Sequence, residues 1–224
     1  MIKYKIAEKF VSINGEGTKA GQLAVFIRLC GCNLKCSYCD TTWANEKDVS
    51  YIEMSAQELV SYIKETGVNN ITLTGGEPLL KRNGEDIRTL LEALSQIEGA
   101  KVEIETNGSI AISDFLDIEN VTFTMDYKLP GSGMESRMYS DNFKVLRKCD
   151  TVKFVAGSEE DLLRLKEVID EYKLTKKCHV YISPVFGRIE PVEIVDFMID
   201  NKMNNVNLQL QMHKIIWDPE KRGV

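Results

Sequence analysis

The sequence predicts an α/β fold built on a mainly parallel sheet, and three observations carry the prediction. Short strand-like runs recur through the 224 residues, helical patterns lie between several of them, and polar residues of unusual kinds gather where the runs end. Alternation of strand and helix implies right-handed βαβ units, with the sheet curled as a barrel or partial barrel, or left open and doubly wound. An α/β barrel uses roughly 200 to 250 residues as one core. With no internal repeat, low-complexity tract or linker in view, the chain reads as a single domain over residues 1–224.

Seven runs rich in Val, Ile, Phe or Thr are the strand candidates: residues 24–29, 71–74, 102–105, 121–125, 152–155, 179–182 and 206–210. The first helix opens at Ser55-Ala56-Gln57-Glu58, a capping box in which the serine accepts an orphan backbone N–H, and runs on through Leu59 and Ile63. The second carries Ile87, Leu90, Leu91 and Leu94 at helical spacing. A third begins at Ser158 and continues through Leu162, Leu165, Val168 and Ile169, and a fourth starts at Pro191, a residue suited to the first turn. Strand ends carry Thr74-Gly75-Gly76-Glu77-Pro78, Glu105-Thr106-Asn107-Gly108, Asp126-Tyr127-Lys128, Ser183-Pro184 and His213-Lys214. Parallel α/β folds place their active sites at that end of the sheet, so one face is expected to hold the chemistry.

Charge and targeting exclude several function classes. The balance of 28 Lys plus Arg against 34 Asp plus Glu, a net charge of -6 with no basic block, argues against nucleic acid as a partner. The N-terminal stretch Met1 to Lys5 lacks the apolar segment of a signal peptide, and the early apolar run from Leu23 to Ile27 is too short for a bilayer. A cytoplasmic protein with no membrane partner and a small-molecule substrate is expected. Cys30, Cys32, Cys36 and Cys39 crowd together while Cys149 and Cys178 stand apart, a pattern that suits a metal or cluster site better than a disulfide framework.

The centre of the argument is Cys32-x-x-x-Cys36-x-x-Cys39, with Tyr38 just before the last cysteine. Structural zinc wants a fourth ligand, and neither His nor the distant Cys offers an obvious one. Three thiolates on a four-iron cluster leave one iron open to a substrate or cofactor. Cys30 is open to two readings, a fourth ligand whose side chain would have to reach around Gly31 or a buried strand-end thiol, and the second is the commoner.

These residues, followed by Gly-Gly-Glu-Pro at the end of the next strand, resemble the radical S-adenosylmethionine enzymes. The glycines would let backbone approach the methionine amino group, and Glu77 would offer an acceptor. Within that superfamily the stretch Ser12 to Gly17, Arg28, Asp40-Thr41, Glu105 to Gly108 and His213 to Pro219 make the chain similar to the family of 7-carboxy-7-deazaguanine synthases, over almost its whole length. The resemblance implies a partial (β/α)6-type, TIM-like barrel, a [4Fe-4S] cluster, S-adenosylmethionine used catalytically, Mg2+, a homodimer and a reductase such as flavodoxin or ferredoxin. It implies conversion of 6-carboxy-5,6,7,8-tetrahydropterin to 7-carboxy-7-deazaguanine with loss of ammonia, on the route to queuosine and other deazapurines.

Residue by residue, the resemblance makes Cys32, Cys36 and Cys39 the cluster ligands and Thr41 a magnesium contact. Ile13, Asn14, Gly15, Glu16, Arg28, Thr74, His213 and Pro219 become pterin contacts, with the planar fork of Arg28 on the substrate carboxylate. Gly76, Glu77, Asp126, Tyr127, Lys128, Ser183, Pro184, Val185 and Phe186 become contacts to S-adenosylmethionine. Asp126-Tyr127-Lys128 stands where many relatives have Ser-Pro-Lys. Strand alternation taken alone would as readily turn Arg28 outward into solvent. Two rival readings keep the same cysteines: an activase of the same superfamily that installs a glycyl radical on a partner protein, and a non-catalytic zinc-binding module.

Overall fold

The computed structural model describes residues 2–81 and 87–224, so Met1 of the N-terminal stretch lies outside it. Among the described residues nine strands form one sheet: β1 (Tyr4–Ile13), β2 (Leu23–Leu29), β3 (Ile52–Met54), β4 (Asn70–Gly75), β5 (Lys101–Thr106), β6 (Val121–Tyr127), β7 (Thr151–Ala156), β8 (His179–Pro184) and β9 (Asn207–Leu208). Their order is β3-β1-β2-β4-β5-β6-β7-β8-β9. Every pairing from β2 to β9 is parallel, while β1 lies antiparallel between β2 and β3. All seven expected strands are present, the last shortened to two residues. The antiparallel pair β1 and β3 is an addition to the sequence reading.

The described residues also form helices α1 (Ala56–Thr66), α2 (Ile87–Ser95), α3 (Asn142–Val145), α4 (Glu159–Tyr172), α5 (Pro191–Asp200) and α6 (Met212–Ile216). Ser55 and Glu58 form the expected box, the serine Oγ accepting from the Glu58 N–H while the glutamate accepts from the Ser55 N–H. Ser158 caps α4 by accepting from Asp161 N–H. The apolar faces of α1, α2 and α4 pack on the outside of the sheet, against Val25, Ile27, Val102 and Ile104 in one core and Val152, Phe154, Val180 and Ile182 in the other.

The sheet is curled. Flat, the seven steps from β1 to β9 would separate those strands by about 34 Å. Instead Gly17, just after β1, donates its N–H to Gln209 Oε1 at 2.7 Å and accepts from Gln209 Nε2 at 3.2 Å just after β9. Helices cover the outer face, so strand alternation sends the other set of side chains into the barrel. Apart from Phe26 and Val155, that set is largely polar, with Arg28, Thr72, Thr74, Glu103, Glu105, Thr124, Asp126, Lys153 and Ser183.

Candidate active site

The loops at the carboxyl ends of the parallel strands surround a cavity of about 250 Å³. One wall is the cysteine loop. Cys32, Cys36 and Cys39 all line the cavity, whereas Cys30 is buried at the end of β2 away from it. The loop is stitched to the strand ends on either side. Gly76 N–H donates to Leu29 O at 3.0 Å and Glu77 N–H to Gly31 O at 2.9 Å, while Asn107 Nδ2 reaches Cys32 Sγ at 3.4 Å and Asn33 Oδ1 at 3.0 Å. The tyrosine before the last cysteine is anchored on the far side, its hydroxyl donating to Val155 O at 3.3 Å.

These contacts explain the glycines of the Gly-Gly-Glu turn differently from the sequence reading. A Cβ on Gly76 would stand 1.7 Å from Gly31 O, and one on Gly75 would stand 2.3 Å from Leu29 O. What the missing side chains admit is the β2 end and the start of the cysteine loop. Glu77 likewise turns away from the cavity: it is 3% exposed, and its carboxylate accepts from Leu79 N–H at 3.0 Å, Thr106 Oγ1 at 2.8 Å and Asn107 N–H at 2.6 Å. It therefore pins the turn after β4 to the turn after β5. Burial pushes its carboxyl up from the ordinary carboxylate range, and those hydrogen bonds act against the rise.

The opposite wall carries charge. Arg28 lines the cavity, and its Nε donates to Glu8 at 2.7 Å. Alternation does turn it away from the apolar set, but in a barrel that direction is the cavity. The stacked rings of Phe10 and Phe26, 5.0 Å apart, stand beside it. Glu16 receives a bond from Lys153 Nζ at 3.0 Å and from Ser183 Oγ at 3.2 Å. Lys153 also lies 3.3 Å from Asp126, whose other oxygen is 2.6 Å from Lys128 Nζ. The two ammonium groups hold the Asp126 carboxyl below its usual range against the opposing effect of burial. Glu105 accepts from Thr74 Oγ1 at 2.6 Å, and burial pushes its carboxyl up to about 7, with Lys153 acting against the shift.

The C-terminal segment closes the cavity from above. His213 on α6 packs against the loop after β1, where a Cβ on Gly15 would come within 2.7 Å of its Nδ1. Burial holds its imidazole below the ordinary histidine value. Arg222 lies over the Trp43 ring at 4.2 Å, and the chain then returns so that Val224 lines the cavity.

Comparison with known proteins decides what this cavity belongs to. The family model of the Radical SAM superfamily matches residues 26–126, which contain the cysteine loop and the Gly-Gly-Glu turn. The 7-carboxy-7-deazaguanine synthase of Clostridium acetobutylicum is 60% identical over 224 residues, covering 100% of both chains. The chain belongs to the 7-carboxy-7-deazaguanine synthase family. The enzyme of that name from Leptospira interrogans serovar Lai is 33% identical, covering 100% of this chain and 99% of its own. Among solved structures, QueE from Escherichia coli shares the fold with a TM-score of 0.75 at 24% identity, over 95% of this chain and 96% of that one. SuiB from Streptococcus suis, solved bound to S-adenosylmethionine, aligns with a TM-score of 0.55 at 16% identity over 80% of this chain and 45% of its own.

Membership of this radical S-adenosylmethionine family brings with it a [4Fe-4S] cluster, S-adenosylmethionine, a small-molecule substrate and a source of electrons. The thiols suit the cluster. All three line one wall of the cavity, and a four-iron cluster takes each thiolate on a different iron, which leaves the fourth iron open toward that cavity. Burial pushes the Cys36 thiol up, and Lys128 opposes this.

Most of the residues singled out in the sequence of this synthase-family member meet in the cavity: Ile13, Gly15, Glu16, Arg28, Thr41, Thr74, Gly76, Asp126, Lys128, Val185, Phe186 and His213 line it with the three cysteines. Six do not. Asn14 is buried behind the wall and accepts from Thr72 Oγ1 at 2.9 Å, and Ser183 and Pro184 are buried, the serine acting on Glu16. Glu77 is turned away as described. Tyr127 points outward because it follows an inward Asp126, and its ring packs on Phe143 and Phe154. Pro219 is exposed, and the last residue, Val224, stands at the cavity in its place. The sequence reading missed roles for Glu105 and Lys153. Their signal was charge alternating with apolar residues along a strand, Glu105 beside Ile104 and Lys153 between Val152 and Phe154.

No helix among the described residues is long and apolar enough to cross a membrane.

Proposed function

We propose that this chain, folded as one domain over residues 1–224, converts 6-carboxy-5,6,7,8-tetrahydropterin to 7-carboxy-7-deazaguanine with loss of ammonia, in the cytoplasm and on the route to queuosine and related deazapurines. The observation that carries the reading is that one cavity opens on three thiols at one wall and on Arg28, Glu16 and His213 at the other. Cys32, Cys36 and Cys39 would hold the [4Fe-4S] cluster, with S-adenosylmethionine beside it against Gly76, Lys128, Val185 and Phe186. Bound there, the two supply a carbon-centred radical able to take a hydrogen atom from a C–H bond.

The residues of the chain position the substrate for that step. Arg28, held by Glu8 through Nε, presents the rest of its guanidinium fork to the substrate carboxylate. Glu16, a fixed acceptor, pairs with the aminopyrimidine edge. His213, kept neutral by burial, can both donate and accept toward the heterocycle. Leu34, Phe26 and Val155 supply apolar wall that keeps water from the reacting carbon. Thr41, whose hydroxyl lies 3.6 Å from Cys39 Sγ, offers a hard oxygen to Mg2+ between the cysteine loop and the substrate carboxylate. A reductase such as flavodoxin or ferredoxin delivers the electron. A homodimer is supported by α5, where Val192, Val195 and Ile199 form an exposed apolar stripe at i, i+3 and i+7.

The test is an anaerobic assay of the cluster-loaded chain with dithionite, S-adenosylmethionine, Mg2+ and the carboxytetrahydropterin. Mass spectrometry should find 7-carboxy-7-deazaguanine. Formation of 5′-deoxyadenosine without that product would keep the radical chemistry and reject the substrate.

A further inference from the structure

Lys153 has no role in the reading above, yet it stands at the floor of the cavity with its side chain 11% exposed. A lysine in such a place costs several kcal/mol in desolvation unless its charge is matched. Glu105 faces it within electrostatic reach, and two further carboxylates pair with it directly. On one side it donates to Glu16 at 3.0 Å, on the loop that carries the proposed pterin contacts. On the other it lies 3.3 Å from Asp126 at the end of β6. Asp126 is in turn 2.6 Å from Lys128, which lines the same cavity as Cys36 and Tyr38. Glu16, Lys153, Asp126 and Lys128 thus form one line of alternating charge from the substrate wall to the cluster wall. Strand β7 supplies the middle of the line from a rigid element, with Val152 and Phe154 on either side of Lys153 fully buried in the outer core.

We propose that Lys153 is a positioning residue that makes pterin binding and S-adenosylmethionine binding cooperative, by joining Glu16 on the substrate loop to Asp126 on the cofactor wall. The proposal rests on the reading of Glu16 as a pterin contact and of the Asp126–Lys128 pair as neighbours of S-adenosylmethionine. Its physical basis is shared ordering. A ligand that fixes Glu16 also fixes the Lys153 ammonium, and the same ammonium orients Asp126 and, through it, Lys128. The second ligand then meets a site already ordered, so the coupling is positive and reciprocal. It also favours assembly of the radical source when a substrate is present to receive the radical.

The experiment is titration calorimetry on the anaerobic, oxidised, cluster-loaded chain, in which both ligands bind without turnover. Saturating 6-carboxytetrahydropterin is expected to tighten S-adenosylmethionine binding by about fivefold or more in the unaltered chain. In Lys153→Met that ratio is expected to fall to about one, and Lys153→Arg to restore part of it. A lysine that merely neutralised buried carboxylates would weaken both affinities in Lys153→Met and leave the ratio unchanged, and that result overturns the proposal. So does a ratio of one in the unaltered chain with both ligands bound. Should Lys153→Met not fold, Glu16→Gln leaves the lysine paired with Asp126 and must also abolish the coupling. Absence of any pterin binding in the unaltered chain would bring down the substrate reading, and the proposal with it.

Discussion

At the scale of single residues, the charged groups inside the barrel set the pH behaviour of the fold. Glu105 is a carboxyl whose ordinary value of 4.5 rises to about 7 in the folded chain, burial being the largest cause. Its contribution to stability is full below the unfolded value and is lost as pH climbs through the folded one. Comparing urea midpoints of the cluster-free chain and Glu105→Gln should therefore show the unaltered chain losing ground between pH 5 and pH 8, by on the order of 3 kcal/mol. A difference independent of pH would mean that Glu105 is ionised throughout. Gly76→Ala makes a second demand on one residue, since its Cβ would meet Gly31 O at 1.7 Å. The strand ends must part, and we expect a stability loss of about 3 kcal/mol together with a fall in iron bound per chain. A variant with full iron and unchanged stability would show that the turn has room. The three cysteines proposed to hold the cluster were legible because their spacing is chemically specific. The work done by Gly76 and Glu77 was not, because a backbone-to-backbone approach leaves no mark on composition.

At the scale of elements, capping and alternation read well and edges read poorly. Ser55→Ala removes the acceptor for the Glu58 N–H and should cost about 1 kcal/mol by urea unfolding, with turnover unchanged because α1 lies on the outer face. An unaltered unfolding midpoint would place the capping energy elsewhere. The parallel strands were legible because each carries an apolar outer set, such as Val102 and Ile104 on β5. Strand β1 was not, because Lys5, Glu8 and Lys9 interrupt it and just Tyr4 and Ile6 among its residues are buried. The inward charges on β5, β6 and β7 were visible as interruptions of apolar runs. What sequence lacks is the sign of the face: the same pattern describes a strand with its charges in water.

At the scale of the whole molecule, the curl of the sheet turns that polar face into a cavity, and the closure between Gly17 and Gln209 spans residues 192 apart in the chain. No local pattern encodes such a contact, so the barrel was accessible from family resemblance and from chain length, while periodicity alone left an open sheet possible. The exposed stripe on α5 belongs to the same scale. Sedimentation should show a dimer that Val195→Glu with Ile199→Glu converts to a monomer, and an unchanged dimer in that variant would place the interface on another face.

If Cys32, Cys36 and Cys39 hold a cluster with one position open to S-adenosylmethionine, electron paramagnetic resonance of the dithionite-reduced, iron-loaded chain should show it. The expected spectrum is that of a reduced [4Fe-4S] cluster whose signal shifts when S-adenosylmethionine is added and is lost in Cys36→Ala. A cluster signal indifferent to S-adenosylmethionine, or a colourless chain carrying one zinc, would overturn the proposal.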